Sequence, residues 1–195
     1  MRNAVTFLIA MTAVGVALGA DLGRGRELYS QGKYDEAIAE LRQVTNEQSD
    51  NADANRLLGL ALIEDGKASE AEKYINKANE LASSGETKLA MARLAVAQKN
   101  LDRAEELLGD ASGDDLEYVR GLVFLNRDKH QEAADALEAY LGKNASHAYA
   151  HYYAGLAYNG LRRPDKMLSH FEHFLRLKPN APEARKVRAV VRTGK

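Results

Sequence analysis

The 195-residue sequence predicts an all-α solenoid of about five helical hairpins that ends in a C-terminal capping helix. Small residues recur along the chain at intervals of 34, 33, 29 and 34 residues, and a second position twelve residues after each is alanine in four of five cases. A period of this length is typical of stacked hairpins, in which no unit buries its apolar face without a neighbour. The first set is Gly25, Gly59, Ala92, Gly121 and Gly155, and the second is Ala37, Ala71, Ala104, Ala133 and Met167.

Residues 1–20 lie outside the repeat and have the layout of a secretory signal peptide. Arg2 precedes an apolar stretch that runs from Ala4 to Gly19 and closes on small residues. A basic start, an apolar middle and a small-residue end predict export with cleavage near Asp21. An uncleaved membrane anchor stays open as the alternative, because the apolar run approaches the roughly 18 residues that span a bilayer. Both interpretations place the repeats outside the cytoplasm, either periplasmic or secreted, and the anchored form would face the periplasm.

Each unit carries two amphipathic helical stripes joined by a short turn. In the second unit the turn is Asp65-Gly66-Lys67, with glycine where a helix is expected to end. Two helices of about a dozen residues joined so closely must run antiparallel. The stripes follow the helical spacing i, i+3, i+4 and i+7, with Ala54, Leu57, Leu58, Ala61 and Leu62 in the first helix and Ala71, Tyr74, Ile75 and Ala78 in the second.

The unit boundaries follow from the repeated small residues. The third interval is four or five residues shorter than its neighbours, which predicts a shortened second helix in the third unit. Asp114 followed by Glu117 predicts a capping box at the start of the next helix. The array is predicted over 21–181, with units near 21–51, 52–84, 85–113, 114–147 and 148–181, and the capping helix over 182–195.

The units resemble tetratricopeptide repeats (TPRs). The pattern of that family is an apolar residue with Gly, an aromatic or apolar residue three further on, then Ala, an aromatic, and Pro near the end. The resemblance implies a right-handed superhelix whose first helices line a concave groove for peptides or partner helices. The residues that carry it are Leu58-Gly59, Leu62, Ala71, Ile75 and Ala78 in the second unit, Gly32 to Ala37 in the first, Gly121, Phe124, Ala133 and Leu137 in the fourth, and Ala154-Gly155, Tyr158, Phe171, Phe174 and Pro179 in the fifth.

The groove face maps onto a second stripe of the first helices, next to the core stripe. A surface of apolar and aromatic side chains with interspersed arginines is expected to bind an apolar strand or an amphipathic helix. The alternative is that neighbouring first helices bury these side chains against one another. The candidate residues are Leu22, Arg26, Tyr29, Arg56, Leu60, Ile63, Leu89, Arg93, Val96, Tyr118, Leu122, Leu125, Tyr149, Tyr152 and Leu156.

No motif in the sequence predicts catalysis, a cofactor or a metal. The chain has no cysteine, and no serine lies in a nucleophile-elbow sequence. Two histidine pairs, His147 with His151 and His170 with His173, have helical spacing but lack an evident third ligand. The sequence therefore predicts a non-enzyme with no small-molecule substrate.

Charge is distributed unevenly along the chain. The net charge is −1, yet the segment from Leu161 onward holds ten Lys or Arg against three Asp or Glu. Such a basic end can attract anionic lipid or an acidic partner, but a capping helix with its charges facing solvent is the preferred explanation. Membrane contact is therefore expected only through residues 4–20 or this basic helix, and nucleic acid is not expected as a partner.

Three functions compete at this stage, and the partner in each is a protein or peptide. The leading hypothesis is an exported bacterial scaffold or adaptor in an envelope, secretion or surface-appendage complex. The alternative is a periplasmic chaperone-like holder of client polypeptides. The third is an anchored regulatory module, if residues 4–20 remain in the membrane.

Overall fold

The computed structural model describes residues 21–193, which form eleven α-helices and contain no strand. The helices pair into five hairpins followed by one terminal helix, so the all-α repeat fold is confirmed. The predicted signal peptide falls in residues 1–20, outside the described range. The helices are α1 Leu22–Ser30, α2 Tyr34–Glu47, α3 Ala52–Glu64, α4 Ala68–Leu81, α5 Gly85–Ala97, α6 Leu101–Gly109, α7 Leu116–Asn126, α8 His130–Leu141, α9 Ala148–Gly160, α10 Pro164–Leu177 and α11 Ala184–Thr193.

The five hairpins stack through both of their helices. Within a unit the second helix packs on the first, and the first helices of successive units, α1, α3, α5, α7 and α9, also pack side by side. Buried apolar side chains form three clusters that follow one another along the array. Because the first helices touch each other, part of their groove-facing stripe is covered by neighbouring units.

Glycine at the repeated small position allows the two helices of a hairpin to approach closely. A Cβ atom built on Gly59 would lie 2.5 Å from Ile75 Cδ1, and one on Gly121 would lie 2.6 Å from Leu137 Cγ. In both cases the contact residue follows sixteen positions later, on the second helix of the same unit. A larger residue would force the helix axes apart.

Every hairpin turn uses the same left-handed backbone conformation. The residue seven positions after the repeated small residue has a positive φ in all five units, and it is glycine only in the first two. The next residue donates its N–H to the carbonyl five positions earlier, as from Lys67 to Leu62 at 2.8 Å. This Schellman pairing satisfies carbonyls at the end of the first helix. The five turn residues are Gly32, Gly66, Lys99, Asp128 and Arg162, with φ of 70, 75, 61, 57 and 55°.

The third unit contains the expected irregularity. Its second helix α6 has nine residues, against fourteen in α4. The predicted capping box of Asp114 and Glu117 is wrong: α7 begins one residue later, after Asp115, and no side chain caps it. Glu117 instead pairs with Arg120 at 2.6 Å.

The terminal helix α11 covers the end of the array. Ala184 and Val187 are buried in the last apolar cluster, packed against α10. Its basic side chains Arg185, Lys186 and Arg188 are exposed. Within residues 21–193, no helix is both long enough and apolar enough to cross a membrane.

Candidate functional site

A cavity of about 800 Å³ lies on the side of the array formed by the first helices. Most of its walls come from α1, α3, α5, the beginnings of α7 and α9, and the turns that connect the units, and α2, α8 and α10 add Tyr34, Tyr140 and Leu177. Residues of the first and the fifth hairpin both reach it, so the array curves around it. The lining includes Arg26, Tyr29, Gln31, Gly32, Tyr34, Arg56, Leu60, Glu86, Leu89, Arg93, Asp114, Asp115, Tyr140, Asn144, Ser146, His147, Tyr149, Leu177 and Lys178.

Arg93 of α5 holds the floor of this cavity together. Its side chain is 4% exposed, and Nη1 donates to Tyr29 Oη at 3.1 Å and to Asp115 Oδ2 at 3.4 Å. Nη2 donates to Glu64, and the guanidinium lies 4.9 Å from the ring centroid of Tyr118. One side chain thus connects the first four units.

The pairing of Arg93 decides its charge state. Burial acts to lower the pKa of Arg93, but the surrounding acidic groups, Glu64 first, hold that pKa above its usual value. For the two tyrosines the effect of burial is the opposite, and it raises the pKa of Tyr29 and of Tyr118. The cation therefore stays charged and the two phenols stay neutral.

A second set of ion pairs runs along the rim and joins the first three units. Arg26 of α1 pairs with Asp53 at 3.3 Å, and Arg56 of α3 pairs with both Asp53 and Glu86 at 2.9 Å. The hydrogen bond from Arg56 contributes most to a lowered pKa of Asp53. These arginines thus have carboxylate partners within the chain.

Lys178, at the C-terminal end of α10, is held differently from the arginines. Its Nζ donates to the carbonyl oxygen of Gly32 at 3.2 Å. The same atom lies 4.8 Å from the ring centroid of Tyr34 and 5.4 Å from that of Tyr149. The contact connects residues 146 positions apart, in the first and the fifth unit.

His147 lies in the cavity lining, directly before α9. Its Nδ1 accepts a hydrogen bond from the backbone N–H of Ala150 at 3.0 Å and so caps α9. Its ring packs 4.8 Å from Tyr118 and 5.3 Å from Tyr140. Burial, and then the nearby cation of Arg93, lower the pKa of His147 to about 4. The side chain is therefore neutral at pH 7, as its capping role requires.

The structure brings seven of the candidate groove residues into the cavity lining and leaves the others in the packing between helices. Of the eight outside the lining, Leu22 and Ile63 pack against the first apolar cluster, and Val96 packs against the middle one. Leu125, Tyr152 and Leu156 pack against the last one. The seven lining residues are Arg26, Tyr29, Arg56, Leu60, Leu89, Arg93 and Tyr149.

Several candidates are too buried to serve as exposed anchors. Tyr118 is 1% exposed and Leu122 8%, because both lie in the middle apolar cluster between neighbouring helices. Leu60, Leu89 and Arg93 line the cavity but are also buried, at most 7% exposed. Tyr118 therefore belongs to the core and is not an exposed aromatic anchor, whereas Tyr152 is only partly buried.

Sequence reasoning missed the part of the lining that comes from turns. Gly32 and Lys178 lie in segments between helices, where no helical stripe marks a face. The sequence shows Asp115 as part of an acidic turn, but it gives no sign that Asp115 pairs with Arg93. The usable signal was the turn Gly32-Lys33, which marks the end of a first helix and therefore the rim of the array.

A histidine cluster lies away from the cavity, between α8, α9 and α10. Nδ1 of His151 lies 3.0 Å from Nδ1 of His170, and Nε2 of His170 lies 3.2 Å from Glu138 Oε1. The ring of His173 stacks on His151 at 4.8 Å. Burial is the main cause of the lowered pKa of His151 and of His170. Within residues 21–193, no group of three or more His, Asp or Glu side chains is arranged to hold a metal ion.

The sequence profile of the tetratricopeptide repeat family matches residues 22–86 and 118–182. The chain belongs to this family. The unmatched stretch between the two regions covers most of the third unit, whose second helix is the short α6. Proteins of the family mediate protein–protein interactions by binding protein or peptide partners.

Solved TPR structures share the fold at low sequence identity. The chain is similar to TTC0263, a thermophilic TPR protein of Thermus thermophilus, with a TM-score of 0.67, 19% identity, and coverage of 87% of this chain and 96% of that one. It is similar to a chain of the APC/C hetero-tetramer Cut9–Hcn1, with a TM-score of 0.65, 15% identity and 88% of this chain covered, although it spans only 35% of that chain. YrrB, a TPR protein with an unusual peptide-binding site, gives a TM-score of 0.51 at 19% identity, with 86% of this chain and 89% of that one covered. A comparison with curated proteins gave no match.

Proposed function

We propose that this protein is a non-catalytic adaptor that binds an extended segment of a partner protein in the cavity formed by its first helices. The observation that carries the proposal is the cavity itself, about 800 Å³ in volume and lined by tyrosines, leucines and paired charges. Ligand sites in proteins commonly combine this volume with apolar walls and a few placed polar groups. Aromatic and arginine side chains are also those that contribute most at protein interfaces.

The size of the cavity limits the bound part of the partner to a short segment. A helix with side chains is at least about 10 Å wide and rises 1.5 Å per residue. A cylinder of that width and about 10 Å in length already has a volume of about 800 Å³. A helix of that length has fewer than two turns. An extended strand or loop reaches further into the same space and exposes its backbone groups to the polar lining. The partner is therefore a segment of a few residues rather than a long amphipathic helix.

The proposal places the adaptor outside the cytoplasm, in envelope, secretion or surface-appendage assembly. The support is the pattern of residues 1–20, which begins with Arg2, continues with an apolar run and ends at Ala20. Mass spectrometry of the protein from its native host tests this point. A mature chain that begins near Asp21 supports export, whereas an intact N-terminus in the cytosolic fraction contradicts it.

Selection of binding peptides tests the cavity directly. A phage-displayed library of random dodecapeptides is panned against residues 21–195, and the recovered peptides are measured by fluorescence anisotropy. Ser146→Trp places a large ring at an exposed lining position and is expected to abolish binding of these peptides. Ser69→Trp, on the exposed first turn of α4 and outside the lining, is the matched control and is expected to bind normally.

The outcome separates a specific adaptor from a holder of unfolded clients. Recovery of one sequence motif that binds through the cavity supports the adaptor. Peptides that share only apolar composition support the chaperone-like holder instead. Peptides that bind Ser146→Trp as well as the parent protein place the site elsewhere and overturn the proposal.

A further inference from the structure

The first and fifth units approach each other across the cavity through a side chain and a turn. Among the helices within residues 21–193, neither α1 nor α2 packs against α9, α10 or α11. The two ends meet instead where Lys178 reaches Gly32, Tyr34 and Tyr149. The contacts of Lys178 are one hydrogen bond and two cation–π contacts, which are weaker than the helix interfaces that bury many apolar side chains within the array.

The contacts of Lys178 are suited to reversible closure. The ammonium group donates one hydrogen bond to a carbonyl and lies over the faces of two tyrosine rings, one from each end of the array. Lysine can donate three hydrogen bonds, and its four-carbon chain moves freely. The arginines of the cavity, Arg26, Arg56 and Arg93, are by contrast all paired with carboxylates.

The contact between Lys178 and Gly32 lies at the cavity itself. Gly32, Tyr34, Tyr149 and Lys178 all belong to the cavity lining. Separation of Lys178 from Gly32 would leave the first and fifth units joined only through the intervening hairpins. Small rotations at each interface between units then add up along the array. The cavity would widen without the loss of any helix contact.

We propose that Lys178 is a latch that holds the first and fifth units together across the cavity, and that its release regulates entry of the partner segment. The role as a gate rests on the proposed function of the cavity, whereas closure of the array does not. The latch is therefore tested first without any partner.

The absence of cysteine from the chain makes the distance between the two ends directly measurable. Lys33→Cys and Asn180→Cys, two positions beside the latch, carry spin labels for a double electron–electron resonance measurement. The parent protein is expected to give one narrow, short distance distribution. Lys178→Met keeps an unbranched side chain one atom shorter but removes the ammonium, and it is expected to give a longer, broader distribution. Lys186→Met, on the exposed face of α11, is the control that should leave the distribution unchanged.

Two glycine variants distinguish loss of the Lys178 contact from backbone strain in the turn. Gly32 and Gly66 occupy equivalent turns with φ of 70 and 75°. A Cβ on Gly32 would lie 3.2 Å from Lys178 Nζ, whereas a Cβ on Gly66 meets nothing within 4 Å. Gly32→Ala and Gly66→Ala therefore share the strain of a left-handed alanine. Because the contact on Gly32 is with the mobile end of Lys178, which can shift by a few tenths of an ångström, neither variant is expected to lengthen the distance between the labels. A lengthening in either variant would show that strain in the turn, rather than loss of the ammonium, opens the array.

Identical distributions in the parent protein and folded Lys178→Met, with folding checked by circular dichroism, would overturn the latch. If the distance lengthens, the same label sites joined by a short bismaleimide give a permanently closed form. Dodecapeptides selected on the parent protein should then associate with Lys178→Met about fivefold or more faster, and with the crosslinked form more slowly. Equal association rates in open and crosslinked forms would contradict the gate while leaving the binding site intact.

Discussion

Replacement of Arg93 by methionine tests whether one buried cation holds the first four units in register. The guanidinium is 4% exposed and its main partner Glu64 is 11% exposed, so both charges are shielded from water. Arg93→Met keeps an unbranched apolar stem but removes the guanidinium, and so leaves Glu64 and Asp115 without their cation. Removal of one partner of a buried ion pair typically costs about 3–5 kcal/mol, most of it from the charge that stays behind.

We therefore expect Arg93→Met to lower the free energy of unfolding at pH 7 by about 3–5 kcal/mol. For a chain of this length that corresponds to a fall in Tm of about 6–20 °C. Urea denaturation followed by circular dichroism and by tyrosine fluorescence measures the change and shows whether both probes report one transition. Arg120→Met is the matched control, because the pair of Arg120 with Glu117 is about 40% exposed and should contribute less than about 1 kcal/mol.

A double-mutant cycle with Glu64→Gln isolates the pair. If the cost arises from an uncompensated carboxylate, Glu64→Gln should restore part of the stability lost in Arg93→Met. The expected coupling is about 1–3 kcal/mol. The reasoning fails if Arg93→Met costs no more than Arg120→Met, or if the two changes at Arg93 and Glu64 are additive.

Three further predictions concern packing, pH and the reassigned tyrosine. Gly59→Ala should destabilise the protein by about 1–3 kcal/mol because the added Cβ collides with Ile75. Gly109→Ala has open space around it and should stabilise the protein by about 0.5 kcal/mol. Equal effects of the two variants in urea denaturation would contradict this. His147 has a folded pKa of about 4 against 6.5 unfolded, so the unfolded chain binds the extra proton and stability falls by up to about 3 kcal/mol as pH drops from 6.5 to 4. His147→Asn, which can still cap α9, should flatten that profile, and an unchanged slope would show that other groups cause it. Tyr118→Ala should cost about 3–5 kcal/mol as a core truncation, and a folded variant of parental stability would return Tyr118 to the binding surface.

The hairpins could be predicted because their determinants are local. Gly59 and Ala71 mark the close crossing of two helices, and the apolar spacing around them specifies which faces meet. The shortened third unit was likewise visible as a missing stretch between Ala92 and Gly121. Each of these signals lies within one repeat, where the sequence period and the structural unit coincide.

The cavity was only partly predictable because it depends on how the units rotate relative to one another. Tyr118 and Leu122 have the spacing of a groove stripe, but adjacent first helices approach closely enough to bury them. The contact of Lys178 with Gly32 results from small rotations accumulated over five units, and no local pattern encodes that sum. The spacing of Arg93 predicts a groove residue, but its ion pair with Glu64 gives it a structural role in joining the units.

Site-specific photocrosslinking in the native host tests most directly whether the cavity binds a partner. A benzophenone amino acid is placed at Ser146 in the cavity lining or at Ser69 on α4, both exposed. We expect Ser146 to crosslink one polypeptide through a short segment, identified by mass spectrometry, and Ser69 to give no such product. The same partner captured at Ser69 and missed at Ser146 would contradict the assignment of the cavity as the binding site.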